Sequence, residues 1–111
     1  MIRVLLDEDV PLRLRAHFPE DAEVETVQYR GWKGLKNGKL LSAAEAAFDV
    51  LVTMDKNLPY QQNIDRYDIA VIILRPRSKL MSDLLSLMPE VQRILPEARA
   101  GSVTQVAPPG P

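Results

Sequence analysis

The sequence predicts an α/β domain with a central, mostly parallel sheet of four or five strands that is flanked by helices. Short apolar runs rich in β-branched residues alternate along the chain with segments whose apolar residues recur at helical spacing. One such run, residues 69–74, is apolar without interruption, which is typical of a strand buried on both faces of a parallel sheet. Alternating strands and helices favour parallel strands joined by right-handed crossovers.

Length and composition indicate one domain. A chain of 111 residues that is 46% hydrophobic is long enough to close one core. We therefore expect a single domain over residues 1–106 and a disordered, proline-rich tail over residues 107–111. No apolar run approaches the ~20 residues that span a bilayer, and the N-terminus begins with a predicted strand instead of a signal segment. These features predict a cytoplasmic protein without a membrane partner.

The residue types present restrict the chemistry. Cysteine is absent and His17 is the only histidine, so thiolate zinc sites, two-histidine metal sites and cysteine nucleophiles are excluded. Any metal must then be held by oxygen ligands, which favours Mg²⁺ or Mn²⁺. The net charge of -1 indicates neither a strongly basic nucleic-acid binder nor an acidic tail protein, so the placement of the charges matters more than their sum.

The first half of the chain contains two predicted strands and two predicted helices. Residues 2–6 form a buried strand, and residues 23–27 alternate polar and apolar like a strand nearer the sheet edge. Between them we predict a helix that begins at Asp9 as its cap, has Pro11 in its first turn and ends at Pro19. A second helix is predicted from about residue 38 to residue 48, with Asn37 as its cap.

The second half of the chain continues the alternation. Residues 50–53 form the next predicted strand, and a short helix begins near Asp55. Residues 69–74 are the buried strand described above, and a helix with one apolar stripe starts at Ser78 and is kinked or restarted at Pro89. The last predicted strand covers residues 102–106.

Acidic side chains follow two of the predicted strands. Asp7, Glu8 and Asp9 come directly after the first strand, and Asp55 follows the strand at residues 50–53. Ligands of parallel α/β sheets collect outside the carboxyl ends of the strands, so we expect Asp7 and Asp55 within about 10 Å of each other at one edge. A structural alternative applies to several of these residues, because Asp9, Asn37, Asp55 and Ser78 also fit as ordinary helix caps.

Basic and aromatic residues are predicted at the same edge. The loop at residues 29–39 carries three glycines and four basic residues around the only tryptophan, and Arg75 and Arg77 follow the strand at residues 69–74. An acidic centre with a basic rim suits metal-assisted phosphodiester chemistry. Tyr29 and Trp32 could stack on unpaired bases, although Trp32 fits equally well as a cover for the core. The amides at residues 61–63 are candidates for contacts with a ligand or partner.

Three segments resemble a known family. Leu-Leu-Asp-Glu-Asp-Val-Pro at residues 5–11, Gly-Trp-Lys-Gly-Leu-Lys-Asn-Gly at 31–38, and Phe-Asp-Val-Leu-Val-Thr-Met-Asp-Lys-Asn-Leu at 48–58 with Gln-Gln-Asn at 61–63 are similar to a small bacterial PIN-like domain family. Its proteins are usually uncharacterised and are associated with toxin–antitoxin pairs. The resemblance covers residues 2–106. It implies a PIN-like fold and a ribonuclease dependent on Mg²⁺ or Mn²⁺, whose acids match Asp7 and Asp55.

Two amides depart from the family pattern. Many relatives carry an acid where this chain has Asn37, and a further acid often stands at the position of Asn57. An amide can coordinate a metal through its carbonyl but brings no charge, so the metal should bind more weakly.

The residues and the resemblance together predict a site whose set of acids is incomplete. The predicted metal ligands are Asp7 and Asp55. The predicted catalytic residues are these two acids together with Glu8 and Asp9. The predicted substrate-binding residues are Arg30, Lys33, Lys36, Asn37, Asn57, Arg75 and Arg77.

Two functions from different classes fit these features. The first is a PIN-like endoribonuclease that acts on RNA as a toxin and is bound by a cognate antitoxin protein. The second is a catalytically silent module that keeps the fold and the polar pocket but binds a protein partner or a nucleic acid. The number of acids that converge on the site distinguishes the nuclease from the silent module, and the number in this chain is intermediate. The sequence leaves open whether the chain forms a homo-oligomer.

Overall fold

A five-stranded sheet, parallel throughout, forms the centre of the computed structural model, which describes residues 1–109. The strands are β1 (Arg3–Leu6), β2 (Glu23–Thr26), β3 (Val50–Thr53), β4 (Ala70–Leu74) and β5 (Val103–Val106). Their order in the sheet is β2-β1-β3-β4-β5. The predicted α/β class with a central, mostly parallel sheet is confirmed, and the predicted strands lie within one residue of the observed ones.

The helices are shorter than the sequence predicts. They are α1 (Asn37–Glu45), α2 (Leu58–Gln61), α3 (Met81–Leu85) and α4 (Met88–Ile94), with 3₁₀ helices at Leu12–His17, Ile64–Arg66 and Leu95–Glu97. The α-helix predicted to start with Asp9 as its cap is wrong, because a 3₁₀ helix follows Pro11 and places only Leu14 of its residues in the core. The stretch after Ser78 divides into α3 and α4, with Pro89 in the first turn of α4.

The two faces of the sheet bury separate hydrophobic clusters. Alternate residues of each strand point to opposite faces, so Val4 and Leu6 belong to one cluster while Leu5 belongs to the other. The first cluster is closed by residues of the 3₁₀ helix at Leu12–His17 and of α3 and α4. The second is closed by α1 and α2. Burial on both faces explains why β3 and β4 are apolar along nearly their whole length.

The strand order creates a crevice between β1 and β3. After β1 the chain builds β2 on one side, and then returns to build β3 on the other side of β1. The segments that follow β1 and β3 therefore leave the sheet next to each other and connect to elements in opposite directions. Doubly wound sheets of this order bind ligands at such a switch point. Leu6 pairs with Val52, so the next residues of both strands lie at the same height on this edge.

No helix within residues 1–109 is long and apolar enough to cross a membrane. Residues 107–109 have no regular secondary structure. The predicted disordered tail also includes Gly110 and Pro111, which lie outside the described residues.

Candidate functional site

Asp7 is the first residue after β1 and is fixed by contacts to β3. Its backbone N–H donates to the carbonyl of Val52 at 2.9 Å, which extends the parallel ladder by one residue. Its Oδ1 accepts the N–H of Glu8 at 2.8 Å, and its Oδ2 accepts the hydroxyl of Thr53 at 2.7 Å. The half-buried carboxylate therefore has two protein donors, and it keeps lone pairs for further ligands.

Thr53 connects Asp7 to Asp55. Its side chain is completely buried at the end of β3, and its hydroxyl oxygen accepts the N–H of Asp55 at 3.1 Å. One hydroxyl thus donates to the first acid and accepts from the backbone of the second. The prediction that Asp7 and Asp55 lie at one edge of a parallel sheet is confirmed. Thr53 was not among the site residues predicted from the sequence, although a polar residue at the end of a buried strand indicates such a role.

Asp55 accepts hydrogen bonds from the turn that follows it and from α1. Its Oδ1 accepts the N–H of Asn57 at 2.9 Å, two residues on, and this turn precedes α2. Its Oδ2 accepts the side-chain amide of Asn37 at 3.3 Å. Asn57 takes part through its backbone N–H and is an exposed residue.

Asn37 belongs to the site instead of capping a helix. It is the first residue of α1, Lys36 occupies the cap position, and no side-chain hydrogen bond caps this helix end. The predicted cap role is therefore wrong. The Asn37 amide donates to Asp55 and also to Oε1 of Gln61 at 2.9 Å, so it bridges the acidic site to α2.

Asp9 brings a third carboxylate to the same place. Its Oδ1 accepts the N–H of Met54 at 3.3 Å, so this acid contacts the segment between Thr53 and Asp55. Burial of the carboxyl, followed by the negative charge of Asp7, raises the pKa of Asp9 to about 6, and Asp55 adds a smaller repulsion. The hydrogen bond from Met54 opposes this rise. Glu8 is exposed, and its carboxylate makes no hydrogen bond or ion pair within residues 1–109.

Asp7 and Asp55 are the residues at this edge that could hold a metal ion. The part of the chain that the structure describes contains no group of three or more Asp, Glu, His or Cys side chains arranged to hold a metal ion. Mg²⁺, however, is usually held by one or two carboxylates together with waters and substrate phosphates. Asp7 and Asp55 could supply oxygen ligands of that kind.

A basic groove begins beside the acids. It has a volume of about 310 Å³ and runs from Met54 to the segment that follows β4. Its lining includes four basic side chains, those of Lys56, Arg75, Arg77 and Lys79. The predicted residues Arg75 and Arg77 thus lie together, and Lys56 and Lys79, which were not predicted to bind substrate, line the same groove. One guanidinium nitrogen of Arg75 donates to Gln105 on β5 at 3.0 Å.

The basic loop before α1 makes mainly structural contacts. The Arg30 guanidinium lies 4.8 Å from the ring centre of Phe48 and 5.4 Å from that of Trp32, and it pairs with Glu25 at 3.2 Å. Trp32 is half-buried and meets Phe48 edge to face at 6.1 Å, so this tryptophan covers the second core cluster. Lys33 and Lys36, also predicted to bind substrate, are exposed.

No family model matches the chain, and neither the curated proteins nor the solved structures give a significant match. The resemblance to the PIN-like family therefore stays a prediction. The geometry of the site consists of three carboxylates and a buried threonine at the switch point of a parallel sheet. The side-chain amides of Asn37 and Gln61 and the basic groove adjoin these residues.

Proposed function

We propose that this chain is a metal-dependent endoribonuclease of the PIN-like type. The observation that carries the proposal is the convergence of Asp7, Asp9 and Asp55 at the β1/β3 switch point, with Thr53 joining the first acid to the last. Carboxylates at the carboxyl edge of a parallel sheet are suited to hold a divalent ion in the crevice where substrates of such sheets bind.

The chemistry requires one group from outside the chain. A bound Mg²⁺ or Mn²⁺ polarises a phosphate and lowers the pKa of a water molecule. Asp7 and Asp55 would hold this ion, and Thr53 would keep the Asp7 carboxylate in one orientation. Asp9 contacts the segment between Thr53 and Asp55, so its carboxylate would be placed to accept a proton from an attacking water.

The basic groove supports RNA as the substrate class. Lys56, Arg75, Arg77 and Lys79 line it, and Met54 at its inner end is held by Asp9 through the backbone N–H. A single strand whose phosphates follow the groove would therefore bring a phosphate to the acids. Each phosphate contact by a lysine or arginine releases counterions, and this adds to affinity without selecting a sequence.

A toxin role in the cytoplasm, with a protein antitoxin as partner, is part of the same proposal. It rests on the resemblance of three sequence segments to the PIN-like family. A gene for a small DNA-binding protein directly upstream would support it. Co-purification of that protein with this chain is the corresponding biochemical test.

One observation favours the second candidate function, a silent binding module. Both oxygens of Asp7 and both oxygens of Asp55 already accept protein hydrogen bonds. A network satisfied in this way can hold the edge of the sheet together without a metal. Such a module would bind RNA or a protein partner without cleaving it.

A cleavage assay on an unstructured RNA with Mn²⁺ separates the two functions. We expect the wild type to cleave, and Asp7→Asn and Asp55→Asn to be inactive. Asp21→Asn is the control, because Asp21 is an exposed acid that precedes β2 and so lies at the opposite end of the sheet. Calorimetry with Mn²⁺ on the same variants reports metal binding directly.

Each possible outcome of this assay supports only one of the two functions. Cleavage that survives in Asp7→Asn would contradict the proposed site. RNA binding by the wild type without cleavage and without Mn²⁺ binding would assign the silent module instead.

A further inference from the structure

A second cavity lies next to the acidic site, on α2 and the 3₁₀ helix that follows it. Its volume is about 300 Å³, which is at the lower end for ligand sites and suits one small planar group. Its lining is mainly polar and consists of Pro59, Tyr60, Gln61, Gln62, Asn63, Arg66 and Tyr67. Neither the acids nor the basic groove contribute to it.

The side chains of this amide cavity have unused hydrogen-bonding groups. Among residues 1–109, the side-chain Nε2 groups of Gln61 and Gln62 donate no hydrogen bond, and the Asn63 amide makes none at all. Gln61 and Gln62 each use only Oε1, which accepts from Asn37 and from the Tyr67 hydroxyl respectively. Amides with free donors and acceptors match the polar edges of a nucleobase.

Tyr60 supplies an aromatic surface at the same place. Its side chain is 85% exposed and belongs to neither core cluster. An exposed ring beside free amides has no packing function, whereas stacking on an unpaired base requires such a ring. Arg66 in the same lining is exposed and adds a positive charge.

The amide cavity and the basic groove both adjoin the acidic site. Asp55 contacts Asn37, which contacts Gln61 of the cavity, whereas Asp9 contacts Met54 of the groove. A strand that fills the groove and crosses the acids would next reach the cavity. Gly38 adjoins this route, since a Cβ there would lie 3.3 Å from Oε1 of Gln62.

We propose that the amide cavity binds one unpaired nucleobase of the RNA, next to the phosphate held at the acids. The inference rests on the proposed function for its substrate class. It assigns base recognition to Tyr60, Gln61 and Asn63, and phosphate contacts to the basic groove. The two regions should therefore respond differently to removal of the bases.

The test compares an RNA octamer with the same octamer carrying abasic residues, by fluorescence anisotropy in EDTA at low salt. We expect Tyr60→Ala to weaken binding of the normal octamer about 10-fold and to leave the abasic octamer unchanged. Tyr60→Phe should keep the wild-type affinity, because it keeps the ring. Leu12→Ala is the control, since Leu12 is an apolar side chain that is 59% exposed but lies outside this cavity, and it should change neither affinity.

Three results would overturn the inference. They are equal weakening of both octamers by Tyr60→Ala, no effect of this substitution on either, and no binding of the normal octamer by the wild type. The proposed function has a separate readout, because Mn²⁺-dependent cleavage that Asp7→Asn abolishes would still support it after either of the first two results, whereas the third result counts against both proposals. If the protein does not cleave RNA but Tyr60→Ala still weakens binding of the normal octamer alone, the nucleobase site would be supported without the nuclease function.

Discussion

Asp9→Asn should make the protein more stable at neutral pH. The substitution removes a negative charge that Asp7 and Asp55 repel and that burial disfavours, while Oδ1 of the asparagine can still accept the N–H of Met54. The variant therefore isolates the cost of ionising this carboxyl in the folded state. A functional site that gathers carboxylates commonly carries such a cost.

The size of the effect follows from the shift in the pKa. A rise from the ordinary 3.8 to about 6 corresponds to at most about 3 kcal/mol, at 1.36 kcal/mol for each pKa unit. Asp9 is exposed as a residue, so solvent screening reduces this figure, and we expect about 1 kcal/mol. For a chain of 111 residues this raises Tm by roughly 4 °C.

The pH dependence has a definite sign. The pKa of Asp9 is higher in the folded protein, so the folded state binds more protons than the unfolded state between pH 3.8 and about 6. Stability contributed by the protonated carboxyl is present below pH 3.8 and is lost as the pH rises through about 6. The free energy of unfolding of Asp9→Asn should therefore equal that of the wild type near pH 3.8 and exceed it above about pH 6.

Urea unfolding of both proteins in EDTA, from about pH 4 to pH 8, measures this difference. Asp21→Asn serves as the control for loss of one exposed acid, and its difference from the wild type should not vary with pH in this way. A constant difference between Asp9→Asn and the wild type, or a less stable variant at pH 8, would refute the raised pKa of Asp9 that burial and the charges of Asp7 and Asp55 produce.

Four further substitutions test the contacts around the site. Thr53→Val keeps the shape of the side chain but removes both hydrogen bonds of the hydroxyl, so it should cost about 1–3 kcal/mol in urea unfolding and weaken Mn²⁺ binding in calorimetry. Gly38→Ala should stabilise α1 by up to ~1 kcal/mol, so the free energy of unfolding should be unchanged or higher. The new methyl group would press against the flexible end of the Gln62 side chain, so the affinity for the RNA octamer should change. Arg30→Ala removes an ion pair and two aromatic contacts, so it should lower stability by about 1 kcal/mol and leave the salt dependence of RNA binding unchanged. Arg77→Ala should instead reduce the slope of log K against log[salt] by about 1, and the opposite pattern in the two arginine variants would exchange their assigned roles.

Local patterns in the sequence are sufficient to locate the strands. A buried strand needs an apolar, β-branched run, and residues 50–53 and 69–74 have no other stable environment than the middle of a sheet. Parallel strands also end at a common edge, so the placement of Asp7 and Asp55 followed from their positions after two such runs. Helix lengths were less predictable, because Leu12 and Leu80 fit an apolar stripe yet are 59% and 67% exposed.

The sequence by itself thus determined the α/β class, the strands and the edge at which the acids lie, because these depend on residues that are neighbours in the chain. Only the tertiary structure decided that β1 and β3 are adjacent, that Thr53 joins Asp7 to Asp55, and that Asn37 binds the acids instead of capping α1. It also decided that Arg30 stacks on Phe48 while Arg77 lines a groove. Each of these contacts joins segments far apart in sequence, and its free energy depends on packing that no local pattern contains.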